Sequence, residues 1–315
     1  MTIPLRTKLG CENNELQTPK VSKTFGVLLP KKALLKTILK HIASQNNFNR
    51  LDSKPLSGGD INEVFLLNCS EGNFVVKINS ASKFPAMFEA EAKGLQLLKE
   101  NSNFKIPKVI ATGTYQNTAY LILEYIPSGK PSKNFSEKFA EALASLHKTT
   151  AGDFGLDHDN YIGSLPQQNG FCSSAPEFYI TQRLEPQFKM AAENGFQFKN
   201  LVGFFKNISE AIPKEPPALV HGDLWNGNYM VSETGKPVLI DPAVAFAPRE
   251  MDIAMMKLFG GFSEEIFSNY NALFALGEGW KERLPLWQLY YLLVHLNLFG
   301  SGYLSPVNSA IKKYS

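Results

Sequence analysis

The stretch His221-Gly222-Asp223-Leu224-Trp225-Asn226-Gly227-Asn228 sets a carboxylate and a carboxamide five positions apart, directly after the apolar run Ala218-Leu219-Val220. The interval is that of His-Arg-Asp-x-x-x-x-Asn, in which the Asp takes a hydroxyl proton and the Asn holds a metal ion. Five residues of loop can bring the two side chains to opposite sides of one phosphoryl group. Asp241 follows a four-residue strand (237–240), where a second chelating carboxylate is wanted. Phosphoryl transfer asks a protein mainly for positioning and charge neutralisation. Asp223 therefore reads as the base, and Asn228 and Asp241 as ligands of Mg²⁺. The structural alternative is an Asp-Asn turn linking two strands.

The remaining parts lie nearer the N-terminus. Lys77 ends the apolar strand Phe74-Val75-Val76, a place from which an ammonium could reach α/β-phosphates. Glu91, fourteen residues on and inside the next helix, could pair with it, whereas Glu89, two residues from Glu91, must face differently. Gly58 and Gly59, in Ser57-Gly58-Gly59-Asp60-Ile61-Asn62, would let backbone approach phosphate oxygens, although a hairpin turn needs the same residues. Glu124, Tyr125 and Ile126 close the front sheet and could offer backbone groups to adenine; a plain linker would look the same. His147 ends a helix and reads as a satisfied structural histidine. Asp252 could brace the catalytic loop by accepting backbone hydrogen bonds. Trp225 is either lobe packing or an apolar face for a sugar ring.

These residues need two kinds of frame. Apolar Leu34, Leu35, Ile38 and Ile42 recur at helical spacing over 31–43. Strands at 64–67 and 74–76, a helix over 84–100, and strands at 109–111 and 119–123 follow within a short span, an order that excludes a doubly wound parallel sheet. Beyond Pro127-Ser128-Gly129 helices are predicted at 135–149, 176–194, 197–212, 249–259, 263–275 and 284–301, interrupted by short strands near 229–231 and 238–240. The fold class is α+β and bilobal. It has an N-terminal extension (1–29), a small antiparallel β-sheet N-lobe with one main helix that binds nucleotide (30–125), and a larger mainly helical C-lobe for catalysis and substrate (126–315).

The 315 residues are 44% hydrophobic and 19% charged, the composition of an ordinary globular chain. Residues 1–54 carry ten Lys/Arg against three acids, but without an Arg-rich block or interleaved aromatics, so no nucleic-acid partner is expected. The longest apolar stretch, 284–304, is broken by Gln288, His295 and Asn297, and no membrane partner is expected. No signal peptide is read at the N-terminus. Cys11, Cys69 and Cys172 are scattered and odd in number, which points to reduced thiols and a cytoplasmic setting.

With those residues assembled, the chain resembles the fructosamine kinase / ketosamine-3-kinase family, relatives of aminoglycoside and choline kinases with a protein-kinase-like fold. The likeness runs from about Ser57 to Tyr303. Its broader marks are His221-Gly222-Asp223 with the later Asp241. Narrower ones are Leu224-Trp225, Asn160-Tyr161-Ile162-Gly163-Ser164 and Asp241-Pro242-Ala243. The resemblance implies ATP-dependent phosphorylation of the C3 hydroxyl of a ketosamine such as ribulosamine or fructosamine, with ATP and Mg²⁺ as cofactors. Deglycation of amines or proteins would follow, by a monomer or homodimer. It implies Asp223 as proton acceptor, Asn228 and Asp241 on Mg²⁺, and Lys77 with Glu91 on the nucleotide. Glu124 to Ile126 would form the adenine hinge, with Trp225 and His221 near the substrate. Departures from the family pattern are Asn226 in place of Ser, Ser173-Ser174-Ala175 where a Trp is frequent, and Ala245-Phe246-Ala247 in place of aromatic-aromatic-Gly. Asp60 stands where some members carry Cys, so a switch based on that cysteine is not available. Two other readings stay open: a kinase of the same fold for another hydroxylated amine, and a nucleotide-binding protein that does not catalyse.

Overall fold

The computed structural model describes residues 31–49, 51–56 and 61–315. Helix α1 (Lys31–Gln45) leads into β1 (Asp52–Pro55), β2 (Glu63–Cys69) and β3 (Gly72–Ser80); α2 (Met87–Asn101) intervenes before β4 (Val109–Tyr115) and β5 (Thr118–Glu124). The five strands form one antiparallel sheet in the order β1-β2-β3-β5-β4. Successive side chains of a strand face opposite ways, and β3 uses both faces. Val76 and Ile78 pack with Ile38, Leu39 and Ile42 of α1, while Val75 faces the cluster of Phe88, Leu95 and Leu98 from α2. Lys77, between Val76 and Ile78, shares the α2 side.

Three differences from the sequence-based expectation have local causes. Helix α2 starts at Met87 rather than at 84, because Pro85 disfavours helical backbone at Phe84 and the turn then runs through a left-handed Ala86. Strand β4 continues through Gly113, over which the Tyr120 ring of β5 lies; a Cβ at Gly113 would come within 2.5 Å of the Tyr120 hydroxyl. Strand β1, four exposed residues, carries no apolar alternation and was not predicted. Gly58 and Gly59 lie outside the described residues.

The rest of the chain is mainly helical. Helix α3 (Phe135–His147) precedes a hairpin of β6 (Asn160–Ile162) and β7 (Leu165–Gln167) that periodicity does not mark. The helix expected over 176–194 is three pieces in line: α4 (Ala175–Phe178), a π-helical segment (Tyr179–Leu184) and α5 (Glu185–Glu193). Pro186 has no N–H to give and its ring would crowd the Gln182 carbonyl, and the wider turn relieves both. Then come α6 (Leu201–Ala211), β8 (Ala218–Val220), β9 (Tyr229–Val231), β10 (Pro237–Leu239) and β11 (Ala245–Ala247), with β8 paired to β11 and β9 to β10. Helices α7 (Glu250–Leu258), α8 (Glu264–Leu273) and α9 (Trp280–Phe299), a 3₁₀ turn (Ser301–Tyr303) and α10 (Leu304–Lys313) complete the fold. Helix α9 is apolar nearly all round and buries Leu286, Trp287, Leu289, Tyr290 and Leu293, as a central core helix must. Among the described residues, no helix is long and apolar enough to cross a membrane.

One apolar cluster joins the two parts of the fold. Phe88, Leu95 and Leu98 of α2 pack in the same core as Phe139 and Leu143 of α3 and Leu219 and Leu239, which precede the catalytic loop and Asp241. Gly94 makes the approach close: a Cβ there would lie 3.3 Å from Pro242 and 3.2 Å from Val244. Helix α2 therefore sits directly against the segment that follows Asp241, and Glu91, one turn earlier, is carried to the same place.

Candidate active site

The loop between β8 and β9 is set from below by one buried carboxylate. Asp252 of α7, fully inaccessible, accepts the backbone N–H groups of His221 (2.8 Å) and Gly222 (2.9 Å) and a hydrogen bond from His147 Nε2 (3.2 Å). Burial would raise its pKa, but the hydrogen bond and charge of His147, with the His221 contacts, outweigh that and hold it below the ordinary carboxylate value. His147 in turn meets the Tyr270 hydroxyl at 2.8 Å, so both its ring nitrogens are engaged. Gly222 turns the chain at φ +82°, and a Cβ there would sit 2.0 Å from the Ala243 carbonyl oxygen, so no side chain fits.

His221, expected near the substrate, is placed otherwise. Its ring is fully buried, Nε2–H donates to the Ile240 carbonyl (2.9 Å), and Nδ1 accepts the Asp223 N–H (3.3 Å). Those two bonds define the neutral tautomer, in keeping with a pKa lowered mainly by burial. The imidazole is thus a strut between the catalytic loop and the end of β10. The Ala243 N–H bond to the His221 carbonyl (2.9 Å) ties the same two segments again.

Asp223 stands at the floor of a cleft of about 400 Å³. Asn228 holds it: Nδ2 donates to Asp223 Oδ2 (2.8 Å) and to the Asp223 carbonyl (2.9 Å). Burial pushes the Asp223 carboxyl up to about 7; the Asn228 bond opposes the shift, and the charges of Asp241 and Asp252 add to it. The Trp225 ring folds over Gly227, where a Cβ would meet it at 2.3 Å, and presents a face 38% exposed at the cleft wall.

Across the cleft, Lys77 Nζ bonds Glu91 Oε1 at 2.7 Å and also Asp241 Oδ1. Burial alone would lower the lysine's pKa, but the two carboxylates prevail and raise it, so the ammonium is charged. Burial raises the Glu91 carboxyl, against the pull of Lys77. Asp241 adopts left-handed backbone (φ +55°) and lines the cleft with its side chain about a third exposed.

The described residues hold no cluster of three or more His, Cys, Asp or Glu suited to a metal. Two hard oxygen donors nevertheless line the same cleft: the Asp241 carboxylate and the Asn228 amide, whose nitrogen is spent on Asp223 and whose Oδ1 has no partner among the described residues. Mg²⁺ suits such a set, since it is held by one or two protein oxygens with substrate phosphates and water completing its shell. The segment expected to form the adenine hinge borders the end of β5. The Glu124 N–H already bonds the Lys108 carbonyl (2.8 Å), the Tyr125 N–H bonds that of Asn73 (3.4 Å), and Ile126 is buried; none of the three lines this cleft.

The chain matches the family model for fructosamine kinase over residues 34–315. It belongs to the fructosamine kinase family. It is 40% identical over 267 residues to a protein named probable ketoamine kinase from Enterococcus faecium, spanning 82% of this chain and 94% of that one. It is 35% identical to protein-ribulosamine 3-kinase, chloroplastic, from Arabidopsis thaliana, over 82% and 81% of the two chains. The crystal structure of a Haemophilus somnus protein assigned as a fructosamine-3-kinase superposes with a TM-score of 0.80 at 30% identity, covering 89% of this chain and 97% of that one. Spectinomycin phosphotransferase APH(9)-Ia, at 14% identity and a TM-score of 0.57, shares the fold. The fold is the bilobal protein-kinase-like one, and this member of the fructosamine kinase family is an ATP-dependent kinase.

Several cleft residues carry no sequence motif for phosphoryl transfer. Tyr291, Val294, His295, Leu298 and Phe299 of α9 all line it. Their spacing of three and four is a signal that was available, but on a helix apolar all round it does not single out one face.

Proposed function

We propose that this kinase phosphorylates the C3 hydroxyl of a ketosamine, such as a ribulosamine or fructosamine, with Asp223 as proton acceptor. The observation that carries the reading is the setting of Asp223: a carboxyl raised to about 7, held through Oδ2 by Asn228, on a cleft floor walled by Trp225. A base with a pKa near the working pH both exists as the anion and takes a proton effectively. Asp223 would accept the hydroxyl proton as the sugar oxygen bonds to the γ-phosphorus. The β–γ bridging P–O bond breaks, and ADP leaves. Lys77, kept charged and oriented by Glu91, would neutralise nucleotide phosphates. Asn228 and Asp241 would hold Mg²⁺, which when bound spreads charge from the phosphate oxygens. Trp225 offers an aromatic face to the apolar side of a sugar ring.

The 3-phosphate of a ketosamine is prone to eliminate inorganic phosphate, after which the amine is freed, so the role we infer is deglycation of small amines or proteins. We place it in the cytoplasm, as a monomer or homodimer. The test is a coupled ATPase assay with ribulosamine, fructosamine and aminoglycoside acceptors, and Asp223→Asn as control. Stimulation by a ketosamine that vanishes in the variant is expected; stimulation by aminoglycosides alone would replace this reading with the other.

A further inference from the structure

Helix α9 turns one face to the cleft, and that face is indexed to the base. The Tyr291 hydroxyl donates to the Gly222 carbonyl, next to Asp223, at 3.1 Å. His295 lies one turn further along, about 6 Å down the axis. Its Nδ1–H donates to the Tyr291 carbonyl (2.8 Å), which leaves Nε2 as an acceptor. Three rings surround the imidazole, with centroids 4.8 Å (Phe259), 5.5 Å (Phe299) and 5.1 Å (Tyr303) away. Phe299 is 58% exposed and Phe259 39%, so two of the three rings beside the imidazole present apolar surface to solvent. Around the cleft, three carboxyl groups (Glu91, Asp223, Asp241) stand against one ammonium, Lys77, and that ammonium is already paired. An acceptor nitrogen among exposed rings, at the edge of an acidic cleft, has the chemistry of a site for an organic cation.

The geometry points to a subsite for the amine end of the acceptor. In it His295 Nε2 takes a hydrogen bond from the substrate's protonated secondary amine, and Phe299 and Phe259 cover its substituent. This rests on the ketosamine reading, because a ketosamine carries such an ammonium one carbon from its carbonyl. It makes His295 and Phe299 specificity-determining residues for what the sugar is attached to, while Trp225 and Asp223 face the sugar itself.

The test compares a fructosamine with the neutral 1-deoxyketose of the same sugar, the latter measured as a competitive inhibitor. His295→Phe keeps a ring and removes the acceptor, and Phe299→Leu alters an exposed ring without disturbing the core. Both should raise KM for the fructosamine about tenfold while leaving KM for ATP and inhibition by the neutral ketose within about twofold. His295→Gln should recover part of the loss. Equal weakening of charged and neutral ligands, or of neither, would overturn the subsite alone. Absence of any wild-type turnover on ketosamines would remove the subsite together with the function it rests on.

Discussion

Asn228 Nδ2 bonds both the side-chain Oδ2 and the backbone carbonyl of Asp223, at 2.8 and 2.9 Å, closing the catalytic loop on itself. One amide thus fixes the carboxylate's rotamer and the turn that carries it. Its other end, Oδ1, has no partner among the described residues.

Replacing Asp223 by Asn should lower kcat by about 10²–10⁴, the usual worth of a positioned base. The side chain keeps its shape, so nucleotide affinity measured by calorimetry should stay within about threefold. A variant retaining more than about a tenth of wild-type kcat would remove Asp223 from the role of base.

The raised pKa of Asp223 makes both activity and stability depend on pH. The base must be ionised, so kcat/KM should rise about tenfold per unit up to pH 7 and flatten above it. Stability runs the other way. A carboxyl whose folded pKa exceeds its unfolded value binds more protons when folded, so its contribution is full below about pH 4 and lost as pH rises through about 7. Thermal melts of Asp223→Asn should therefore gain on wild type between pH 5 and pH 8. A difference independent of pH would contradict the burial argument.

Lys77 neutralises two carboxylates at once. Lys77→Met would leave Glu91 and Asp241 facing each other, at a cost of about 3 kcal/mol, near the low end for a broken buried pair because Asp241 is a third exposed. Urea denaturation should show that loss, and nucleotide titration a weakened complex. Glu91→Gln should be milder in both, since Asp241 still pairs with Lys77.

Asp252 is a positioning residue without contact to the cleft. In Asp252→Asn an amide NH₂ replaces one acceptor oxygen and must face a backbone N–H of His221 or Gly222, or the His147 ring. Leaving one such buried donor unmade costs about 1–3 kcal/mol, and more where the acceptor was charged. Lower kcat with unchanged KM for ATP, together with a reduced melting temperature, is expected. A drop in melting temperature with full kcat would mean that the loop keeps its shape without this anchor.

The parts of the site legible in the sequence were those whose spacing is local. Asp223 and Asn228 lie on one short loop, and Asp241 follows one short strand, so chain geometry alone nearly fixes their relation. Asp252 and His147 were also read correctly, as brace and structural histidine, because each sits at a helix end next to the loop. His221 was not, since a histidine opening a catalytic motif looks the same whether its ring points into the cleft or beneath it. Pro85 and Pro186 shifted helix boundaries through steric effects that an apolar pattern does not register. The β6–β7 hairpin escaped notice because three-residue strands are too short for alternation to show.

By itself the sequence determined the groups available to this protein: a carboxylate and a carboxamide on one loop, a second carboxylate after a short strand, a lysine with a glutamate, and a family in which these occur together. Only the tertiary structure decided what each of them touches. The pairing of Lys77 with Asp241, 164 residues apart, depends on α2 packing against Pro242 and Val244 through Gly94. The face of α9 that meets the cleft follows from the packing of its buried residues, and the Tyr291 hydroxyl, bonded to the Gly222 carbonyl, ties that face to the loop. Contacts between distant segments depend on how two surfaces fit, and the local spacing of residues along the chain does not encode that fit.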